Sequence, residues 1–267
     1  DQKVNIIKAI NDEISPNNII AKSKDKELKV LIAGCGTGDQ ILKANRYNNA
    51  KITSIDLSSS SLSYAQRKID ELEIKNISLI QMDILNIDLL KEKFDVIECC
   101  GVLHHMKDPS EGLSKLSSVL ENDGFMKISL YLDSARKNII EARKYIEERN
   151  IEPNEVNIRK FRKDVFSGCL PKLDSLANAG SDFFTTSECR DLCFHIQEHR
   201  FTMTQIKELL AFQRLRFLGF LVNQRIKSLY QREFPDDKSQ TNLYNWAAFE
   251  KRYPKTFSTT QPFWVSK

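Results

Sequence analysis

The chain has 267 residues, of which 41% are hydrophobic and 28% are charged, and its formal net charge is +4. That length suffices for one sizeable core with a smaller appended lobe, while the modest, evenly mixed charge argues against a nucleic-acid-binding stripe. No apolar run approaches the roughly 20 residues that a membrane span needs, and no signal-peptide pattern is present. Membranes and nucleic acids are therefore not expected as partners.

Six cysteines are spread along the chain. A secreted disulfide scaffold would be shorter and denser in cysteine, so this pattern predicts reduced thiols and a cytoplasmic protein. Cys189 and Cys193 are four residues apart and would share a face of a helix. No second pair of ligands at metal-binding spacing completes a zinc site, and we expect no metal there.

Short apolar runs alternate with amphipathic stretches from residue 28 onward, after a polar helical segment at 1–27. The predicted strands lie at residues 28–33, 51–56, 77–81, 94–99 and 125–130. The predicted helices lie at residues 39–47, 60–72 and 109–120, and a turn is predicted at 122–124. This alternation predicts an α/β fold with a doubly wound sheet.

The alternation stops after Leu132, where a charged helix is predicted at residues 134–150. The regular α/β pattern resumes with a predicted helix at 203–212 and predicted strands at 216–222 and 262–267. A second insertion is predicted at 223–258. We therefore predict four parts. These are an N-terminal helical segment at 1–27, a core at 28–132, a mainly helical insertion at 133–200 and a C-terminal part of the core sheet at 201–267.

The first predicted strand leads into a glycine-rich loop, Gly34-Cys35-Gly36-Thr37-Gly38. Such a loop between a strand and a helix lets backbone N–H groups approach a ligand closely. Its Gly-x-Gly-x-Gly spacing is shorter than the Gly-x-Gly-x-x-Gly loop that cradles a dinucleotide pyrophosphate. The loop therefore predicts a ligand without a pyrophosphate.

Two aspartates stand at the ends of the next two strands. Asp56 ends the second strand, where a carboxylate can accept hydrogen bonds from both hydroxyls of a ribose. Asp83 follows the third strand and can bind an adenine amino group, while the N–H of Ile84 reads a ring nitrogen. Either aspartate alone is equally typical of a turn or a helix cap. Their joint position after the glycine loop favours an adenosine-containing cofactor.

Four segments, at residues 30–38, 55–58, 82–84 and 94–97, resemble in order the signature segments of class I S-adenosylmethionine-dependent methyltransferases. Residues 101–109 are similar to the segment after strand 4 in the small-molecule, UbiE-like branch. The resemblance implies a Rossmann-like, seven-stranded sheet with an antiparallel last strand, S-adenosylmethionine as cofactor and S-adenosylhomocysteine as product. The cofactor contacts that it implies are Gly34, Cys35, Gly36, Gly38, Asp56, Leu57, Asp83, Ile84 and Cys100.

The resemblance implies a small-molecule acceptor with an oxygen, nitrogen or sulfur nucleophile. A protein or peptide acceptor is an alternative, because similar bacterial modules are sometimes fused to tetratricopeptide repeats. A partner or fused domain of that type is therefore expected, while the oligomeric state stays open. Nucleobase amines are disfavoured, since Glu98-Cys99-Cys100-Gly101 replaces the Asn/Asp-Pro-Pro-aromatic motif. A non-catalytic module that only binds the cofactor is the alternative from another class.

The candidate catalytic residues are His105, then His104, after the fourth strand, and Tyr131 at the end of the fifth. Methyl transfer requires the nucleophile to be held in line in a dry pocket, and a base helps a hydroxyl, amine or thiol to react. The insertion at 133–200 is predicted to be a substrate lid. Its candidate substrate contacts are Phe184, His195 and His199.

A competing motif is His195-Ile196-Gln197-Glu198-His199, which matches the His-x-x-Glu-His pattern of inverted zinc peptidases. On a helix the two histidines would share a face and could bind one metal ion. No third ligand is identifiable by spacing, and the flanking residues indicate a packed segment. We therefore predict no metal site and keep a zinc hydrolase as an alternative only.

Overall fold

The structure is a computed structural model, and the residues that it describes are 3–19, 27–48, 50–178, 183–195, 197–257 and 260–267. The packing of the chain divides it into two units. The first unit comprises residues 1–132 and 199–267, and the second comprises Asp133–Glu198. The predicted insertion at 133–200 thus includes the whole second unit and two residues of the first.

Among the described residues, seven strands form one sheet of the first unit in the order β3-β2-β1-β4-β5-β7-β6. They are β1 (Leu28–Ala33), β2 (Ala50–Asp56), β3 (Ile77–Gln81), β4 (Phe94–Cys100), β5 (Leu120–Tyr131), β6 (Arg216–Phe220) and β7 (Thr260–Ser266). Strands β1 to β5 pair in parallel, and β7 runs antiparallel between β5 and β6. The predicted α/β fold, with a doubly wound seven-stranded sheet and an antiparallel last strand, is confirmed.

The central strands are covered on both faces. Residues Val30–Ala33 of β1 and Ile97 of β4 are fully buried. Parallel strands with helices on both sides bury every side chain, which is why they stand out in the sequence as uninterrupted apolar runs. Because these strands are parallel, the residues that follow β1, β2, β3 and β4 emerge at one edge of the sheet.

Strand β5 begins earlier than its sequence predicts. It starts at Leu120, directly after a helix, and includes the predicted turn at residues 122–124. Leu120 pairs with Phe94, and pairing then resumes between Val96 and Phe125 after a shift of register. The extra residues form an irregularity within the strand instead of a loop before it, so the predicted turn is wrong.

The described helices are α1 (Ile6–Ile14), α2 (Asp39–Ala44), α3 (Ser59–Glu71), α4 (Pro109–Val119), α5 (Lys137–Glu148), α6 (Glu155–Phe166), α7 (Thr186–Phe194), α8 (Met203–Phe212), α9 (Gln224–Glu233) and α10 (Leu243–Arg252). The helix predicted at 134–150 is a 3-10 turn, Asp133–Arg136, followed by α5. Helices α5, α6 and α7 give the second unit an apolar core of its own. None of the helices within the described ranges combines the length and the apolar character needed to cross a membrane.

Candidate functional site

The loop between β1 and α2 requires its glycines for two different reasons. Gly34 and Gly36 have φ angles of 82° and 52°, in the left-handed region that glycine adopts without strain. A Cβ on Gly34 would lie 2.2 Å from Cγ2 of Val102, so the loop packs tightly on the segment after β4. A Cβ on Gly36 would have no atom within 4 Å. Gly36 therefore faces open space, as a backbone that cradles a ligand would.

Asp56 ties this loop to the end of β2. Its Oδ2 accepts a hydrogen bond from the N–H of Gly36 at 2.7 Å, and its Oδ1 accepts one from the N–H of Ser58 at 2.9 Å. The N–H of Gly34 donates to the carbonyl of Ile55 at 2.8 Å. Each carboxylate oxygen has more than one lone pair, so Asp56 retains acceptor capacity for ligand hydroxyls.

Asp83 has the role of a helix cap, which the sequence left open. It precedes the 3-10 helix Ile84–Leu90, and its Oδ1 accepts a hydrogen bond from the N–H of Leu85 at 2.9 Å. A carboxylate that caps a helix through one oxygen can still accept a hydrogen bond through the other. Capping and adenine binding are therefore compatible at this position.

A cavity of about 450 Å³ lies at the edge of the sheet where these residues meet. Its lining includes seven of the predicted site residues, Gly34, Gly36, Asp56, Leu57, Asp83, Ile84 and His105. The lining also includes residues that the sequence analysis did not name as contacts: Met82, Leu85, Gly101, Val102, Met106 and Lys107. All of these except Leu85 lie in the segments at 82–84 and 101–109 that carry the family resemblance, and Leu85 directly follows Ile84.

Three predicted cofactor contacts lie outside this lining. Cys35 is 3% exposed, and burial raises the pKa of its thiol to about 12, with Asp56 adding to the effect. Gly38 precedes α2, where a Cβ would lie 3.3 Å from Cβ of Ala65. Burial likewise raises the pKa of Cys100 to about 12, so its thiol stays protonated at neutral pH. The backbone of Cys100 leads directly into Gly101, which does line the cavity.

Cavity volume alone does not identify the site. A larger cavity, of about 630 Å³, lies in the second unit and is lined by α5 and residues 169–173. Its charged side chains include those of a surface ion pair, Lys144 with Glu148 at 3.8 Å. The smaller cavity brings together the glycine loop, two carboxylates at strand ends and an imidazole. A pocket with such converging polar and titratable groups is the usual candidate for an active site.

The three candidate catalytic side chains contact one another. The ring of His104 stacks on that of Tyr131, with a centroid distance of 3.5 Å and an interplanar angle of 27°. Nε2 of His105 lies 3.4 Å from Oη of Tyr131. His104 is fully buried, whereas His105 is half-buried and lines the cavity. Of the two histidines, His105 is therefore the one that can reach a ligand.

Backbone hydrogen bonds from residues 199–201 hold this group of rings. The N–H of His199 donates to the carbonyl of His104 at 2.8 Å, and the N–H of Phe201 donates to that of Tyr131 at 2.8 Å. His199 thus supports the candidate catalytic residues through its main chain.

The described residues of the His-x-x-Glu-His motif, His195 and Gln197–His199, are not helical, so the shared helix face that two metal-binding histidines would need is not formed there. Helix α7 ends at Phe194, and His195 has an extended backbone, with φ −62° and ψ 133°. Glu198 instead accepts two hydrogen bonds from Arg136, Nε to Oε1 at 3.0 Å and Nη2 to Oε2 at 2.6 Å. Both side chains are buried, at 0% and 1% exposure. A carboxylate held in a buried ion pair is not available as a catalytic base.

Two other predicted positions lie in the second unit. Phe184 is 56% exposed and stacks on Phe166, with ring centroids 5.9 Å apart. His195 Nδ1 lies 2.7 Å from the carbonyl oxygen of Gln197. Cys189 and Cys193 are both buried on α7, where their mutual hydrogen bond and burial raise the pKa of Cys193. A substrate-lid role for this unit stays a prediction.

The comparisons with known proteins agree on one protein family. Residues 24–157 match the family model described as "Methyltransferase domain". An uncharacterized protein of Synechococcus sp. is 31% identical over 206 residues, which are 72% of this chain and 48% of that protein. The (S)-coclaurine N-methyltransferase of Papaver somniferum is 31% identical over 107 residues, 40% of this chain and 30% of the enzyme.

The fold is also found among solved structures. PKMT2 from Rickettsia typhi, solved in complex with AdoHcy, superposes with a TM-score of 0.72 at 16% identity. The match covers 97% of this chain and 52% of that protein. The chain spans about half the length, or less, of these relatives.

Proposed function

This chain belongs to the methyltransferase-domain family of class I S-adenosylmethionine-dependent enzymes, and on that premise we propose that it methylates a hydroxyl, amine or thiol of a small molecule. Its cofactor is S-adenosylmethionine. The observation that carries the proposal is the position of His105, whose imidazole lines the same cavity as Asp56 and the glycine loop. A base beside the cofactor site is what an acceptor that must lose a proton requires.

The volume of the cavity and the glycines that line it support binding of the cofactor there. Its volume of about 450 Å³ lies within the roughly 300–1,000 Å³ typical of small-molecule sites. Gly36 and Gly101 both have positive φ angles and no atom within 4 Å of a Cβ position, so they leave the space that a ligand needs. We assign Asp56 to the ribose hydroxyls and Asp83, with the N–H of Ile84, to the adenine.

We also assign the other predicted cofactor contacts to parts of the cofactor. Leu57 is apolar and 68% exposed, and we assign it to one face of the adenine. The loop from Gly34 to Gly38 is assigned to the amino-acid tail. When bound, the cofactor supplies an electrophilic methyl group on a positively charged sulfur.

Gly36→Ala tests this cradle. We expect the added methyl group to lower the affinity for S-adenosylhomocysteine by at least about tenfold, because it would occupy ligand space. The matched control is Gly168→Ala. Gly168 lies in the second unit, has a φ of 72° and has no atom within 4 Å of a Cβ position. Both variants carry a backbone strain of about 1–2 kcal/mol, so both should lower the midpoint of thermal unfolding by a similar amount. Only Gly36→Ala should lower the affinity that calorimetry measures. Equal affinities would contradict the placement of Gly36.

The proposed mechanism assigns proton transfer to His105 and Tyr131. A neutral imidazole has one accepting and one donating nitrogen. The acceptor's proton passes to Nε2 of His105, directly or through the hydroxyl of Tyr131 that lies 3.4 Å away. The stacked ring of His104 restrains Tyr131. Apolar walls formed by Val102 and Met106 help to exclude water, which keeps the nucleophile poorly solvated and reactive.

His105→Ala should lower kcat by about 10²- to 10⁴-fold, the usual contribution of a general base, with S-adenosylhomocysteine affinity changed less than twofold. Tyr131→Phe keeps the ring that stacks on His104 and should have a smaller effect. The checks are steady-state kinetics and calorimetry on the same preparations. A parallel loss of binding and turnover would mean that His105 has a structural role.

The acceptor class is tested with methyl-labelled S-adenosylmethionine and separate pools of hydroxyl, amine and thiol metabolites. Label is expected in the low-molecular-weight fraction, and it should be absent with Asp56→Ala, which lacks the ribose contact. Label confined to proteins or peptides of a lysate would favour the protein-acceptor alternative. Cofactor binding without transfer to any pool would favour a non-catalytic binding module.

A further inference from the structure

Lys107 is the one lysine or arginine that lines the cavity, among the residues that the structure describes. The carboxylates of the lining are those of Asp56 and Asp83, and both accept hydrogen bonds from backbone N–H groups. Within the described ranges, the ammonium of Lys107 forms no ion pair with either of them or with another carboxylate. The described chain thus supplies a positive charge at the cavity and no counterion for it.

The conformation around Met106 directs Lys107 and His105 to the same side. Met106 follows the 3-10 turn Leu103–His105 with an extended backbone, at φ −72° and ψ 154°. In an extended segment, side chains two residues apart lie on the same side. The end of the Met106 side chain instead packs on α4, where its Sδ would lie 2.4 Å from a Cβ on Gly112. The ammonium of Lys107 and the imidazole of His105 can therefore reach one ligand.

The carboxylate next to Lys107 along the chain caps a helix. Asp108 is the N-cap of α4, and its Oδ1 accepts hydrogen bonds from the N–H of Ser110 at 2.8 Å and from that of Glu111 at 3.4 Å. Backbone donors and the helix dipole stabilise a carboxylate in this position. Asp108 is therefore stabilised by α4, and the charge of Lys107 is left for a ligand.

We propose that Lys107 determines specificity for a methyl acceptor that carries an anionic group beside its nucleophile. This inference rests on the proposed function. His105 takes the proton of the nucleophile, and Lys107 binds the anionic group through charge-assisted hydrogen bonds. An extended chain rises about 3.3 Å per residue, so the Cα atoms of these two residues are roughly 7 Å apart, which is the length of a small acceptor.

The carboxylate of the cofactor is the competing ligand for Lys107. It belongs to the amino-acid tail, which is assigned to the glycine loop. That loop packs on Val102, because a Cβ on Gly34 would lie 2.2 Å from Cγ2 of Val102. Lys107 lies beyond the 3-10 turn that follows Val102 and directly precedes the N-cap of α4. Its position beside His105, and not beside the loop, favours the acceptor as its ligand.

The test uses methyl-labelled S-adenosylmethionine and the small metabolites of a bacterial lysate. Before the reaction, anion exchange at neutral pH separates these metabolites into a bound, anionic fraction and an unbound fraction. We expect wild type to transfer label to the anionic fraction. Lys107→Gln should lower the initial rate of this transfer about tenfold, and Lys107→Glu about 100-fold, because like charges repel. The affinity for S-adenosylhomocysteine, measured by calorimetry, should change less than twofold in both variants.

Lys115→Gln is the matched control, because it removes the same charge from a lysine outside the cavity lining. Lys115 lies on α4 and pairs with Asp88 at 3.0 Å. Its variant should transfer label as wild type does. Added salt gives a second readout, since it screens the pairing of Lys107 with the acceptor. Salt should slow transfer to the anionic fraction by wild type and Lys115→Gln, and it should have little effect on Lys107→Gln.

The other outcomes overturn the inference in distinguishable ways. Label from the unbound fraction alone, or unchanged rates in both Lys107 variants, would contradict it and leave the proposed function standing. A loss of S-adenosylhomocysteine affinity in Lys107→Gln would assign Lys107 to the carboxylate of the cofactor. Equal loss of rate in Lys107→Gln and Lys115→Gln would assign the effect to net charge. No label in either fraction would overturn the proposed function, and this inference with it.

Discussion

Replacing Asp56 with alanine is expected to weaken S-adenosylhomocysteine binding by at least about 100-fold. Each hydrogen bond from a ribose hydroxyl to a carboxylate contributes roughly 1.5–3 kcal/mol, so losing two costs about 3 kcal/mol or more. The same substitution removes the 2.7 Å hydrogen bond to the N–H of Gly36, which frees the loop that the ligand must contact. Isothermal titration calorimetry measures the loss directly, and unfolding of the free protein reports the cost to stability.

Asp95→Ala is the matched control for that experiment. Asp95 also accepts a backbone hydrogen bond at a strand terminus, from the N–H of Lys29 at 2.8 Å. It lies near the start of β4, whereas Asp56 lies at the carboxyl end of β2. Asp95→Ala should therefore lower stability and leave affinity unchanged. Unchanged affinity in Asp56→Ala would show that the ribose contact is wrongly assigned. Equal losses of affinity in both variants would mean that lower protein stability, and not a lost ligand contact, causes them.

The sheet and most of the candidate site were predictable, because local sequence patterns identify them. A buried parallel strand is an apolar run, and the loop after β1 is rich in glycine. Asp56 is the last residue of β2, and Asp83 lies two residues after the end of β3. Parallel strands then bring these positions together without any long-range information. Most of the cavity lining follows from that single property of the fold.

Other features depend on contacts between distant parts of the chain. His104 and His105 are adjacent and have the same local pattern, and only tertiary packing buries the first and leaves the second in the cavity. The contact between Gln40 and Cys100 spans 60 residues. No periodicity or propensity encodes such a pairing.

The conformation of the motif at residues 195–199 also depends on distant contacts. Its spacing is correct for two metal ligands on a helix, but the conformation there is set by partners elsewhere in the chain. Glu198 pairs with Arg136, which is 62 residues away, and Arg143 donates to the carbonyl of His195 from helix α5. A spacing motif predicts a site only where the helix that it presupposes is formed.

Glu198→Gln is expected to destabilise the protein by about 3–5 kcal/mol, the usual cost of breaking a buried ion pair from one side. The reason is that Arg136, which is fully buried, would keep its charge and lose its counterion, while Arg143 at 3.4 Å from Oε2 is 22% exposed and partly hydrated. Chemical unfolding, followed by a signal from the second unit, measures the change. Glu155→Gln is the control, because its partner Arg159 and Glu155 itself are 67% and 63% exposed, and such surface pairs contribute little.

The double variant Arg136→Met/Glu198→Leu should recover most of the lost stability, since apolar residues of similar volume often replace a buried ion pair at no net cost. Recovery would show that the loss of stability in Glu198→Gln comes from an unpaired buried charge and not from altered side-chain packing. The same samples test the metal alternative. If Glu198 acts only through Arg136 and Arg143, a chelator leaves the unfolding midpoint of wild type unchanged. A midpoint that falls with chelator and is restored by zinc would contradict this assignment, because ligand binding stabilises the folded state by mass action.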